Sequence, residues 1–409
     1  MLEVLTTRGR AFVAAGLTLL ASGYFLGFRD LTRIGLLLVG LPLLAAGLAR
    51  RRPPGLVVTR ATLPVQVVAD QSAQVITTVS NTAPRSTPIM LAEERLDYLL
   101  GERPRLLLGS LGAGQHRTIR YAVRPPMRGR HALGPLTVQL RDPFGLTTRF
   151  VEVGGPTELL ALPRTDPLGT ARPRGTGVGA DGEIPHMVAL HGEDDQSIRE
   201  YRDGDDLRRI HWPATARTGE LMVRQEDRPA RRRVVVLLDA RDEGHVGAGP
   251  GSSFEWAISA IASVVVHFSG LGYAVHLLTP QTLTDGHADV PIDAGTALQG
   301  LAVTDGCDAR DFDQSVRAAQ GLLAGGGLFV AALAAYDDTA LTRVAALRPP
   351  GATGLAFVLP GPPPGRGGVE QGGAVHLLLA AGWRAAPVRP GDTVPHAWGR
   401  LARTPVGAS

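Results

Sequence analysis

The chain has 409 residues, 44% hydrophobic and 20% charged, which fits ordered globular domains and leaves room for two or three of them. All 42 basic residues are arginine, which excludes chemistry that needs a lysine: a Walker-type P-loop, a Schiff base, a Ser-Lys dyad. A formal net charge of +4 gives no support to nucleic-acid binding, and the single cysteine, Cys307, forbids an internal disulfide and fits a reducing compartment. The 51 glycines and 31 prolines read as genomic composition rather than function.

The first elements are two apolar runs without a charge, "AFVAAGLTLLASGYFLGF" (11–28) and "IGLLLVGLPLLAAGLA" (34–49). A spanning helix needs about 20 residues, which the second run reaches when Leu31 to Arg33 join it and Arg33 extends to the headgroups. The rival is a cleaved signal peptide. A second apolar run after the "RDLTR" turn (29–33) argues against it. Arg8 and Arg10 precede the pair and Arg50, Arg51 and Arg52 follow it, while the turn carries Arg29 and Arg33 beside Asp30. The positive-inside bias therefore expects both ends of the hairpin in the cytoplasm. The result is a two-pass inner- or plasma-membrane protein, with lipid as the hairpin's partner and a cytoplasmic body from residue 53 onwards.

From Leu56 to about Pro163 short alternating runs follow: "LVVTRATLP", "AQVITTVSN", "RTIRYAVRP" and "LTVQLRDPFGL". Each is rich in β-branched residues and ends in Pro, Gly or Asn, the pattern of a small antiparallel sandwich. Val75, Thr77 and Val79 are expected on one face of their strand, Ile76 and Thr78 on the other. "RDPFGL" (141–146) reads as a turn.

Glycines 175, 177 and 179 follow no strand and read as linker rather than a dinucleotide loop. The next stretch, "REYRDGDDLRRIHWPATARTGELMVRQE" (199–226), has no simple period. Its candidate residues are Tyr201, Arg202, Gly204, Asp205, Asp206, Arg208, Ile210, His211, Trp212, Arg217 and Gly219. "RDGDD" is a turn, and "TARTGELMVR" is a strand pair about Thr218-Gly219 or, preferably, a helix stopped at Gly219. Acids beside Arg208, Arg209 and Arg217 suit bidentate pairing, and the Trp212 N–H needs a partner if it is buried. Catalysis would make His211 the base, oriented by Asp205 or Asp206. Only Thr215 and Thr218 offer themselves as nucleophiles, and no oxyanion device is evident. A structural clasp is the first reading and a partner-docking surface the second.

After Arg233 buried strands and helices alternate. "VVVLLDA" (234–240), "YAVHLLT" (273–279), "GLFVAAL" (327–333) and "GLAFVL" (354–359) are the strands; helices are expected at 254–269, 311–323, 337–346 and 370–381. Such alternation implies a mostly parallel sheet with ligands beyond its carboxyl ends, where Asp239 lies. The strand ending in Asp239, the "AGT" at 294–296 and the strand leading to Asp337 resemble the skeleton of a von Willebrand factor A domain. That family holds Mg²⁺ through an Asp-x-Ser-x-Ser loop, a Thr and a further Asp, which the resemblance places at Asp239, Thr296 and Asp337. The two serine positions hold Arg241 and Glu243 instead. An arginine at a ligand position puts a cation beside the ion, so the expectation is a degenerate, metal-free site with its carboxylates solvated or paired to Arg241.

The 199–226 stretch also resembles the defining motif of the domain of unknown function 58 family. Its members join a two-helix anchor, a β-rich region with a run like "RGRHALGPLTVQLRDPFGL" (128–146), this motif and a von Willebrand A-like domain. The resemblance implies the whole architecture: a transmembrane hairpin (1–52), an antiparallel β-sandwich-like module (53–165), the signature segment (166–230) and a doubly wound α/β domain of Rossmann type (231–409). It also implies partners, a MoxR-type AAA+ ATPase and sometimes a transglutaminase-like membrane protein, but no chemistry and no cofactor. The leading expectation is thus a membrane-anchored adaptor rather than an enzyme, without nucleic acid. The alternative is a metal-assisted hydrolase using Asp239, Asp337 and His211. The chain lacks His-Glu-x-x-His, Gly-x-Ser-x-Gly and paired Cys-x-x-Cys motifs.

Overall fold

The computed structural model describes residues 4–50, 55–142, 144–169, 197–200, 210, 212–225, 233–324, 326–348, 353–363 and 369–403. They divide into two units, 1–162 and 163–409. The first unit opens with α1 (Thr7–Leu26) and α2 (Arg29–Arg50), of 20 and 22 residues. At about 1.5 Å per residue each is long enough, and each is apolar enough, to cross a hydrocarbon core of about 30 Å. Because α2 begins at Arg29, residues 31–33 do extend the second apolar run. The Thr6 hydroxyl caps α1 by accepting from the Gly9 N–H at 3.1 Å, and Gly27 (φ 70°) ends it.

The buried positions of α1 are Gly9, Gly16 and Gly23, two helical turns apart on one face. A Cβ at Gly16 would stand 2.7 Å from Val39 Cγ2 and 2.9 Å from the Gly35 carbonyl; one at Gly23 would stand 2.6 Å from Thr32 Oγ1. Only glycine lets the two backbones approach this closely. With 51 glycines in the chain, this stripe does not stand out from the composition.

The remainder of the unit is β1 (Leu56–Leu63), β2 (Val67–Val68), β3 (Ala73–Asn81), β4 (Met90–Leu96), β5 (Arg105–Leu108), β6 (His116–Val123), β7 (Gly129–Arg141), β8 (Thr148–Val153) and β9 (Thr157–Leu162). One sheet runs β1-β3-β6, the other β2-β9-β7-β4-β5 with β8 also on β7, and only the β2–β9 pairing is parallel. Val75, Thr77 and Val79 of β3 are buried while Ile76 and Thr78 are partly exposed, as alternation requires. Leu56 and Val79 of the first sheet share a core with Met90, Ala92, Leu108 and Val138 of the second. One ion pair crosses the same interior: Arg60 Nη2 lies 2.7 Å from Glu94 Oε1, with both side chains 1% exposed. Burial raises the Glu94 carboxyl above its ordinary pKa, although the charge and hydrogen bond of Arg60 and the Thr77 hydroxyl pull it down.

The 141–146 stretch is a turn, and it also seats the first helix. Asp142 accepts from the Phe144 N–H at 2.8 Å and from the N–H and hydroxyl of Thr147. Leu146 O accepts from the Thr6 N–H at 2.9 Å, and Gly145 O from the Thr6 hydroxyl at 2.7 Å. Leu5 bridges Thr147, and a Cβ on Gly9 would collide with the Leu146 carbonyl.

In the second unit β10 (Ser197–Glu200), α3 (Trp212–Thr218) and β11 (Met222–Gln225) come first, with β10 antiparallel to β11. Then follow β12 (Arg233–Leu238), α4 (Ser253–Gly270), β13 (Ala274–Leu278), α5 (Pro280–Thr284), α6 (Ala294–Ala302), α7 (Ala309–Leu323), β14 (Leu328–Ala334), α8 (Asp338–Ala346), β15 (Thr353–Leu359), α9 (Gln371–Ala380), β16 (Arg384–Pro387) and α10 (Val394–Arg403). The last five strands form a parallel sheet ordered β13-β12-β14-β15-β16. Val234, Val236 and Leu238 pack with Ile261, Leu301 and Trp398 of α4, α6 and α10; Val235 and Leu237 pack with Phe312, Leu341 and Leu378 of α7, α8 and α9. A strand buried on both faces must be apolar, and β12 is so from Val234 to Leu238, with only the exposed Arg233 at its start charged. Numbered within this sheet the strand order is 2-1-3-4-5, which reverses direction between β12 and β14. Sheets of this kind hold ligands outside the carboxyl ends at that point.

Candidate functional site

At the reversal point a closed ion-pair network fills the carboxyl ends of the central strands. Asp239, directly after β12, is fully buried, and Arg241 is 3% exposed. Arg241 grips Asp239 with both arms of its fork, Nε to Oδ1 at 2.9 Å and Nη2 to Oδ2 at 2.8 Å. Its third arm, Nη1, reaches Asp337 Oδ2 at 3.3 Å. Asp239 also accepts from the Ala334 N–H at 3.1 Å and from Arg241's own N–H at 3.3 Å. Asp337 is at the same time the cap of α8, accepting from the Thr339 N–H at 2.9 Å. The Phe312 ring lies against the guanidinium, 4.3 Å from Cζ to its centroid.

Burial by itself would lower the Arg241 pKa. Hydrogen bonds and charge from Asp239, then the charge of Asp337, outweigh that and leave it above its ordinary value. Arg241 thus stays a fixed cation between two carboxylates. The loop holding it is tied by its backbone: the Cys307 N–H donates to Ala240 O at 2.8 Å and the Asp242 N–H to Cys307 O at 3.1 Å. Burial first, then the charges of Asp239, Asp311, Asp242 and Asp308, push the Cys307 thiol up to about 12, so it is protonated at neutral pH. His245 closes the other side, with Nε2 2.8 Å from Asp239 O and Nδ1 3.0 Å from Ser253 Oγ.

Of the residues the von Willebrand resemblance points to, the structure brings Asp239 and Asp337 together through Arg241. Thr296 is engaged elsewhere: at the start of α6 its hydroxyl donates to Asp293 Oδ2 at 2.5 Å and its N–H to Asp293 Oδ1 at 3.0 Å. Glu243 accepts from the Tyr336 hydroxyl at 2.9 Å. Among the described residues no group of three or more His, Cys, Asp or Glu side chains has the placement to hold a metal ion. Sequence reasoning did not find Ala334, Cys307, Phe312 or His245. Three of them, Ala334, Cys307 and Phe312, contribute backbone groups or an aromatic face, which leave no motif.

Of the candidate residues in the 199–226 signature, Tyr201, Arg202, Gly204, Asp205, Asp206, Arg208 and His211 lie outside the described residues. Ile210 is half-buried. Trp212, the first residue of α3, is 66% exposed, so little of its ring area is packed within this chain. Arg217 is exposed near the end of α3. Gly219 (φ 78°) stops the helix, its N–H bonded to Thr215 O at 2.9 Å, in agreement with the helix-end reading. Thr215 Oγ1 accepts from the Met222 N–H at 3.0 Å and the Thr218 hydroxyl donates to Glu220 O at 3.3 Å, so both hydroxyls serve the helix-to-strand turn.

Residues 197–299 match the family model described as "Protein of unknown function DUF58", which spans the signature, β12, α4 and β13. No curated protein matches the chain. Among solved structures, a CARDB domain from Pyrococcus furiosus is 18% identical, covering 25% of this chain and 94% of that one with a TM-score of 0.18. A putative ApaA protein from Bordetella pertussis is 16% identical, covering 28% and 98% with a TM-score of 0.21. The Pseudomonas fluorescens alkylpurine DNA glycosylase AlkC is 18% identical, covering 31% and 39% with a TM-score of 0.16.

Proposed function

We propose that this chain, whose residues 197–299 match the DUF58 family model, is a membrane-anchored interaction protein that presents its α/β unit to a partner. The observation that carries this reading is Arg241. At the point where a sheet of this order holds ligands, the guanidinium satisfies Asp239 and Asp337 from within the chain. A catalytic metal site keeps an open coordination position for water or substrate. Here the two carboxylates that a metal-assisted hydrolase would use are bound to an internal cation, which favours a rigid presenting surface over a reaction centre. The position of Asp239 and Asp337 at the ends of two adjacent strands also supports a von Willebrand A-like domain whose ion has been replaced by an arginine.

The anchor is α1 with α2, and the body from residue 53 is cytoplasmic. The partner is a MoxR-type AAA+ ATPase, with a transglutaminase-like membrane protein as a further associate in a cell-envelope or complex-maturation process. Exposed Trp212 supports a docking role for the α3 region, since Trp is among the residues enriched at interface hot spots. The test is affinity purification of the full chain from native membranes. The ATPase should co-purify with wild type and be lost with Trp212→Ala, while the melting temperature stays unchanged. Recovery of the ATPase at wild-type level by the variant would move docking away from α3, and its absence from both samples would end the ATPase reading.

A further inference from the structure

The outer face of the larger β-sheet carries an apolar row that the fold does not cover. Cross-strand register aligns Leu107 of β5 with Leu91 of β4, Leu91 with Gln139 of β7, and Gln139 with Phe150 of β8. Leu107 is 65% exposed, Leu91 42% and Phe150 67%; Ile89, just before β4, is 65% exposed. The next row on the same face is charged and paired: Arg105 Nε lies 2.9 Å from Glu93 Oε2, and Arg95 Nη2 3.0 Å from Glu152 Oε1. The face is therefore graded, apolar at one end and ionic beyond it.

The apolar end is the end where β7 turns into β8. The connecting turn carries Phe144, 64% exposed, and its carbonyls at Gly145 and Leu146 hold Thr6, the cap of α1. One pleat repeat, about 7 Å, separates the Leu107–Leu91–Phe150 row from the strand ends. A bilayer interface admits apolar groups to about 5–10 Å. If α1 enters the hydrocarbon at its first turn, the residues within one pleat of its cap lie at headgroup depth.

We propose that this end of the sheet, with Phe144, Phe150, Leu91, Leu107 and Ile89, dips into the lipid interface and fixes the β-module against the bilayer. The occupant is lipid. The proposal rests on the reading that α1 and α2 span a membrane, and its surface is continuous with α1 through the Thr6 clasp. The two aromatic and three aliphatic side chains supply the apolar contact, and the Arg105–Glu93 and Arg95–Glu152 row marks the waterline.

The test uses the full chain reconstituted in vesicles of phosphatidylcholine and phosphatidylglycerol, with Cys307→Ala and a single nitroxide at Phe144→Cys, Phe150→Cys, Leu17→Cys or Tyr98→Cys. Leu17 is mid-α1 and 55% exposed; Tyr98 lies past the far end of β4 and is 86% exposed. Collision with oxygen, which partitions into lipid, is compared with collision with a water-soluble nickel chelate. The expected result is an oxygen-to-nickel ratio several-fold higher at 144 and 150 than at 98, and higher still at 17. A lipid-like ratio at 17 with a water-like ratio at 144 and 150 overturns the proposal and leaves the hairpin standing. Low collision with both reagents at 144 and 150 means that protein, not lipid, covers the row, which also overturns it. A water-like ratio at 17 removes the hairpin reading itself.

Discussion

Arg241 decides the character of the candidate site, and its weight can be measured. A guanidinium 3% exposed, bound to a fully buried carboxylate, is tolerable only because each charge satisfies the other. Arg241→Met keeps much of the volume and strands Asp239 without its counter-ion. Removing one partner of a buried pair costs about 3–5 kcal/mol, whereas replacing both by neutral groups of similar shape is far milder. Denaturant unfolding of the detergent-solubilised chain, followed by tryptophan emission, should show a loss of that size for Arg241→Met and partial recovery in the Asp239→Asn/Arg241→Met double variant. A single variant within about 1 kcal/mol of wild type would mean the network is not coupled to stability. Asp392 gives a second residue-scale expectation, of opposite origin. Hydrogen bonding to Arg400, against the opposing effect of burial and with help from the Arg389 N–H, lowers its pKa to about 2. A folded-state pKa below the unfolded one contributes stability above the unfolded value of 3.8, lost as pH falls toward 2. Asp392→Asn should therefore narrow the difference in melting temperature between pH 5 and pH 2.5; an unchanged acid slope would assign it to other carboxylates.

Elements in this protein are joined where glycine or a cap leaves room. The hairpin is held by a face without side chains: Gly16 against Gly35 and Val39, Gly23 against Thr32. In lipid the apolar surface of a helix gains nothing by meeting another apolar surface, so close backbone approach supplies the association. Gly16→Leu should force α1 and α2 apart and lower the melting temperature of the solubilised chain. Gly40→Leu is the matched control, because a Cβ there meets nothing within 4 Å. Equal behaviour of the two variants would show that the stripe does not hold the helices. At the same scale, the 142–147 turn explains why the β-module and hairpin fall in one unit. Its carbonyls complete the cap of α1 through Thr6, and Gly9 leaves the space for them.

Across the whole molecule, legibility followed the range of the interaction. Strands buried on both faces, such as 234–238 and 354–359, were readable because burial on both sides leaves only apolar residues, and the alternation in β3 was readable because one face is wet. The pairing of Asp239 with Arg241 was open to sequence reasoning because the two are neighbours in the chain. Phe312, Ala334 and the Arg60–Glu94 pair were not, since they meet only after strands distant in sequence pack together. The glycine stripe was hidden for a different reason, in a composition where glycine is common. The orientation expected of α1 and α2 in a membrane belongs to this scale too, and rests on charge. Arg8 and Arg10 stand before α1's apolar run and Arg50, Arg51 and Arg52 after α2's, against Arg29 and Arg33 at the turn, where Arg33 is paired to Asp30 at 3.1 Å. Arginines near span ends are retained on the cytoplasmic side, and acids weigh little in that balance, so the side with more arginines should win. A reporter enzyme active only outside the cytoplasm, fused after Ser409, should stay silent, while one active only inside should work. Moving charge to the turn, with Arg50, Arg51 and Arg52 changed to Gln and Thr32 to Arg, should shift a fraction of molecules toward the opposite signal. A strongly active external reporter on the unaltered chain would place residues 53–409 outside and remove any cytoplasmic ATPase as a partner.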